Sequence, residues 1–146
     1  MTSKTPGFRP ELTADAFNRR SRGHLPGLAG VEIVSVAPGE LQSRMAVRQE
    51  VMAPNGFLHA ASIIALADTS CGYGCVAHLP EQASGFTTIE LKANFVGTAR
   101  EGAIVCLARA VHLGRTTQVW DAEVLVEGGG PRIALFRCTQ MVLFPR

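Results

Sequence analysis

One stretch of this sequence constrains the fold more than any other. From His59 to Pro80 it reads HAASIIALADTSCGYGCVAHLP, helix-length and closed by a proline that stops it. Its apolar residues fall on every helical face, so the helix has to be enclosed by other structure rather than lie on a surface. The continuous apolar part, Ala60 to Ala77, holds many small residues and one acid, Asp68. That composition suits a buried core helix and not a membrane span.

The flanking segments supply what encloses it. Upstream, VEIVSV and ELQSRMAV are β-rich runs separated by Ala-Pro-Gly, a hairpin signal, and VMAPNGFL is a loop with Pro54, Asn55 and Gly56 as its turn residues. Downstream, FTTIELKANFV, AIVCLARAVHL, TTQVWDAEVLVE and PRIALFRCTQMVLF alternate as strands. In the third of these, Trp120, Ala122, Val124 and Val126 share one face, and Asp121, Glu123 and Glu127 the other. Two strands, one buried helix and four more strands make an α+β fold with an antiparallel sheet. A sheet curled around the helix is the simplest enclosure. Before it, Glu11 to Arg20 reads as a short helix that HLPGLAG interrupts through Pro26, Gly27 and Gly30.

With 146 residues, the chain reads as one domain over 1–146, with 1–24 as an N-terminal extension or short helix, and it buries about two thirds of its unfolded surface. A net charge of +2 is too small to point to nucleic acid or a membrane surface, and Arg19, Arg20 and Arg22 read as a solvated patch. Cys71, Cys75, Cys106 and Cys138 sit in apolar segments with no paired spacing, as reduced core residues of a cytoplasmic protein do. The opening MTSKTPGFRPEL shows no charged-then-apolar export pattern.

No nucleophile elbow, H-E-x-x-H or glycine-rich phosphate loop is present, and Gly128-Gly129-Gly130 reads as a hairpin turn. What stands out is Asp68. A carboxylate in an apolar helix is costly unless paired or used, and desolvation lifts its pKa toward the range of a general base. The alternatives are a cap at Thr69 or a pair with a basic residue of the sheet. Cys71, Cys75 and His78 share a helix face at i, i+4 and i+7, a spacing that suits zinc. Their neighbours Tyr73, Val76 and Ala77 look like core, so core packing is the better reading and no metal is expected. His59 sits where the helix starts, and unpartnered first-turn amides there suit a developing oxyanion as well as a plain helix start.

Residues 53–68, APNGFLHAASIIALAD, resemble the signature of hotdog-fold acyl-CoA thioesterases of the phenylacetate-degradation type. That signature has Asn or Gln, two residues, Gly, two residues, His-Gly-Gly, and an Asp or Glu nine residues after the His. Gly56, His59 and Asp68 occupy the matching positions. TIELKANFVGTA (88–99) is similar to the family's next strand block and HLGRTT (112–117) to the hairpin after it. The resemblance implies a hotdog fold in which an antiparallel sheet wraps one long central helix. It also implies hydrolysis of an acyl-CoA or related thioester to acid and thiol. Asp68 would be nucleophile or general base, the Ala60 amide would polarise the carbonyl beside His59, and Thr88 would position water. Gly56 and Asn55 fall in the substrate loop, and Arg115 with Thr116 would reach coenzyme A phosphates. No cofactor is implied, since coenzyme A belongs to the substrate.

The sequence departs from the signature twice. Ala60-Ala61 replaces Gly-Gly, which keeps the amide, and Ala53 replaces Asn or Gln, which removes a side-chain amide. Ala53 is the best argument for the competing reading, a non-catalytic acyl-CoA-binding protein. An enoyl-thioester hydratase or dehydratase of the same fold would want an Asp/His pair that the sequence does not offer after Asp68.

The spacing carries its own consequence. Eight helical steps from Ala60 to Asp68 are about 12 Å of rise, so one thioester carbon cannot lie within bonding reach of both. A homodimer, or a dimer of dimers, with composite sites at a two-fold interface is the economical solution.

Overall fold

The computed structural model describes residues 7–146; residues 1–6, the start of the segment read as an extension, lie outside the described residues. In chain order the elements are α1 (Ala14–Ser21), α2 (Leu25–Ala29), β1 (Glu32–Ala37), β2 (Glu40–Ala46), α3 (Ala60–Ala77), β3 (Gly85–Phe95), β4 (Ala103–Leu113), β5 (Thr117–Val126) and β6 (Arg132–Leu143). A 3₁₀ turn, Gln49–Val51, precedes the loop to α3. The strands form one antiparallel sheet in the order β1-β2-β4-β5-β6-β3, and α3 packs against all the strands. This is the hotdog arrangement.

The alternation of each strand becomes an inner and an outer face. Ile104, Cys106 and Ala108 of β4, Trp120, Ala122 and Val124 of β5, and Phe136, Cys138 and Gln140 of β6 are all buried. Two glycines, poor helix formers, are needed where the sheet presses on α3. A Cβ on Gly74 would lie 2.8 Å from the Trp120 indole, and one on Gly72 would lie 3.0 Å from the Phe86 ring. The indole N–H donates to Gln118 Oε1 at 2.8 Å, and Gln118 Nε2 donates to the His78 carbonyl at 3.1 Å, so this buried polar chain is satisfied. α3 is long and apolar enough to cross a membrane by length and composition alone, yet its second half is wrapped by the sheet.

Two expectations change on contact with the structure, and a third is filled in. The segment after α1 does not merely break a helix: Leu25–Ala29 forms a short one, because Pro26 sits in its first turn, where a missing N–H costs nothing. The N-terminal segment read as an extension or short helix holds that helix, α1, and packs on the core. Arg9 N–H donates to the Ala77 carbonyl at 2.9 Å, Phe8 packs on His78, and the fully buried Phe17 stacks on Tyr73. Finally, α3 is not enclosed all round. Ala60 and Ala61 are exposed, and Ile64, Ala65, Asp68 and Thr69 are only half-buried, which leaves one stripe of the helix open along its first half.

Candidate active site

The start of α3 is built by the loop before it. Met52 and Leu58 form a β-bridge, Ala53 N–H donates to the Phe57 carbonyl at 2.7 Å, and Gly56 takes a φ of +89° that favours glycine. Asn55 Oδ1 accepts from the Phe57 N–H at 3.2 Å, so this side chain shapes the turn. His59 is the N-cap: its Nδ1 accepts from the Ala61 N–H at 2.9 Å, and its carbonyl accepts from Ser62 at 2.9 Å. The exposed Ala60 N–H meets no acceptor among the described residues. One donor at the positive end of an 18-residue helix is therefore available to a ligand oxygen.

Two turns further along, Asp68 presents the opposite chemistry. Its Oδ1 is buried without a hydrogen-bond partner, and desolvation raises its pKa. No ion pair or cap satisfies it among the described residues, so neither structural alternative accounts for this acid. The arrangement offers a proton acceptor of raised basicity and, about 12 Å away along the same helix, an oxyanion donor.

The profile of the thioesterase superfamily matches residues 55–132, which contain both groups. The chain belongs to the thioesterase superfamily. A 1,4-dihydroxy-2-naphthoyl-CoA hydrolase of Listeria monocytogenes is 30% identical over 110 residues, covering 75% of this chain and 88% of the relative. A proofreading thioesterase of Klebsiella pneumoniae is 29% identical over 124 residues, 84% and 88% of the two chains. Among solved structures, a mutant thioesterase from Pseudomonas aeruginosa superposes with a TM-score of 0.89 at 25% identity, covering 95% of this chain and 99% of that one.

Within this member of the superfamily the remaining candidate residues separate. Thr88, on the inner side of edge strand β3, donates to Gln140 Oε1 at 2.7 Å, and Gln140 Nε2 donates to Cys138 Sγ at 3.3 Å. Hydrogen bonding to Cys138, then burial, pushes the Cys71 thiol well above its usual range, and Asp68 adds to the shift. Gln140 thus ties Thr88 to the buried Cys138. The buried Gln140 is the residue that sequence reasoning missed, although a glutamine at an inward position of an alternating strand was a visible signal. Arg115 and Thr116 lie elsewhere: Arg115 sits over the Phe144 ring and lines a cavity of about 370 Å³ with His78 and Gln82. That is the C-terminal end of α3, roughly a helix length from Ala60 of the same chain. Thr116 contributes its carbonyl to the Val142 N–H at 2.9 Å.

The cysteine–histidine face of α3 is core. His78 Nε2 accepts from the Gly39 N–H at 2.8 Å and Nδ1 lies 2.7 Å from the Gly74 carbonyl, so both ring nitrogens are occupied. Among the described residues no cluster of His, Cys, Asp or Glu is arranged to hold a metal ion.

Proposed function

We propose that the protein hydrolyses acyl-CoA thioesters to free acid and thiol, in composite sites shared by two copies of the chain. The carrying observation is the pairing of an unpartnered, desolvated Asp68 with a free Ala60 N–H, too far apart on one helix to serve one carbonyl. In the site, the Ala60 N–H of one copy receives the thioester oxygen and Asp68 of the other faces the carbonyl carbon. Acting as base, Asp68 takes a proton from water as the hydroxide adds to that carbon. The oxyanion collapses, the C–S bond breaks, and the proton passes from Asp68 to the departing thiolate. Acting as nucleophile, Asp68 would add to the carbonyl carbon and expel the thiolate. Water would then cleave the resulting acyl anhydride to the acid and the free carboxylate, its second proton going to the thiolate. Thr88 fits a water-positioning role, because its hydroxyl proton is committed to Gln140 and its lone pairs remain to accept. Arg115 and Thr116 are assigned to the coenzyme phosphates. The scheme calls on no cofactor. The four free, buried cysteines accord with a cytoplasmic setting.

Strand β3 supports the pairing of copies. It is an edge strand, and Ile89, Leu91, Phe95 and Val96 stand 39–62% exposed along and just beyond it. An unpaired apolar edge is a template for another strand, and a second copy adding its own β3 would continue the sheet. Sedimentation velocity at micromolar concentration is expected to show a dimer or tetramer; a fully active monomer would overturn the composite site.

Release of free thiol from a panel of acyl-CoAs tests the activity itself, beginning with aromatic acyl groups, since a relative is named for hydrolysis of one. Ala53, which lacks the side-chain amide of the signature, favours a second reading as an acyl-CoA-binding protein. Saturable binding of acyl-CoA with no thiol released would establish that reading.

A further inference from the structure

Two clefts flank the segment that leads into α3, one touching the loop before it and the other reaching the helix itself. The first, of about 570 Å³, mixes Arg48, Gln49 and Arg100 with Val47, Met52 and Pro54. The other, of about 450 Å³, is lined by Leu25, Leu28, Val51, Ala61, Ser62 and Ala65, with Arg48 and Glu50 at its rim. A thioester whose oxygen rests on the Ala60 N–H has two unlike arms, an acyl group and a polyanionic coenzyme, and only the second cleft reaches the helix start with a largely apolar lining. We propose that the apolar groove between α2 and the first two turns of α3 holds the acyl group, and that Leu28 sets the acyl size accepted. The inference deepens the function proposed above and rests on it.

The groove has little to offer a polar ligand. Ser62 Oγ is spent on the Val51 carbonyl at 2.7 Å. Arg48 Nη2 donates to the Leu28 carbonyl at 2.6 Å, and its Nη1 faces Glu50 at 3.6 Å. The polar groups around it are satisfied internally, and what remains is aliphatic, as ligand cavities of this size are. The floor is made of small residues, Ala61 and Ala65, on the same helical stripe as Asp68 (i, i+4, i+7). That stripe is the one the chain's own sheet leaves uncovered.

The outer wall is held in place. Leu25 and Leu28 are 65% and 77% exposed on a five-residue helix, a poor use of two leucines unless something lies against them. Yet α2 is fixed at several points. Its Gly27 packs so closely that a Cβ would fall 2.5 Å from the Ser21 carbonyl oxygen, the Val31 N–H donates to the Pro26 carbonyl at 2.9 Å, and Arg48 grips the Leu28 carbonyl. The Leu28 side chain is thus presented from a fixed backbone, the condition for a wall that discriminates by size. The cleft before α3, where Arg100 lies 4.6 Å over the Phe57 ring, keeps a guanidinium on its wall and suits an alkyl chain less well.

Two variants narrow the groove from opposite walls, Leu28→Trp and Ala65→Leu. The readout is the ratio of kcat/KM for octanoyl-CoA to that for acetyl-CoA, with the oligomeric state of each variant checked by light scattering. Each variant is expected to lower the ratio about tenfold or more, within the roughly 10–200-fold that one methylene decides in an apolar pocket. An unchanged ratio in both variants overturns the inference. So does loss of the oligomer in either, which would make the groove an interface between copies. If the parent protein releases no thiol from any acyl-CoA, the hydrolase reading fails, and binding of S-octyl- and S-methyl-coenzyme A thioethers decides the groove alone. A preference for the octyl thioether that Leu28→Trp removes sustains the groove; equal affinities, or a preference the variant leaves intact, overturn it.

Discussion

Asp68→Asn is expected to cut kcat a hundredfold or more, the scale of a positioned acid–base group, and at the same time to raise the thermal midpoint at neutral pH. Both effects have one cause. Burial raises the pKa of Asp68 and no partner offsets it, so the charged form needed for catalysis is the form the fold tolerates least. A folded-state pKa above the unfolded value means that the native protein holds this proton more readily than the unfolded chain. The site's contribution to stability is then fully present below the unfolded pKa and is lost as pH rises through the folded one. Asparagine keeps the shape and never ionises. The midpoint gained by Asp68→Asn is therefore largest near pH 7 and shrinks as pH falls toward the ordinary carboxylate range. The acid limb of kcat/KM in the parent is expected above that same range. Thermal scans of both proteins at several pH values, beside thiol-release rates, check the pair of effects. A folded Asp68→Asn variant with near-normal turnover removes Asp68 from the mechanism.

Features written in adjacent residues were legible in the sequence; those made by distant ones were not. The strand periodicities predict every strand, and the run from Gly56 through His59 to Asp68 predicts where α3 starts and where its odd acid lies, because the N-cap, the turn glycine and the helix are local. The enclosure of α3 was legible only in half. Apolar residues on all faces say that the helix must be covered but not by what, and one chain covers the second half while leaving the Ala61–Ala65–Asp68 stripe open. The link from Thr88 through Gln140 to Cys138 depends on β3 pairing with β6 some fifty residues away, which no local pattern encodes. Pro26 and Gly27 read as breakers because their exceptions, a proline in a first turn and a glycine under close packing, appear only once neighbours are placed.

Ala60→Pro is expected to lower turnover by about a hundred- to a thousandfold, since losing one oxyanion donor typically costs about 2.7–4 kcal/mol in the transition state. The substitution is unusually clean at this position. Ala60 is the first residue of α3, where proline is favoured, and its N–H has no acceptor to lose among the described residues. The residue before a proline must be extended, and His59 already is, at φ −67° and ψ 135°. Ala60→Gly, which keeps the N–H, is expected to retain activity and so separates the donor from the side chain. The decisive measurement combines the two inactive variants. If each site takes Ala60 from one copy and Asp68 from the other, a dimer of one Asp68→Asn chain and one Ala60→Pro chain rebuilds one intact site and discards the other. Random re-association of equal amounts would then restore about a quarter of parental activity, half the dimers being mixed and each carrying one of two sites. If both groups served one site from the same chain, every mixed dimer would be dead. Recovery of activity on mixing therefore establishes the composite site, and its absence, with subunit exchange shown by mass spectrometry, overturns it and requires both groups in one chain.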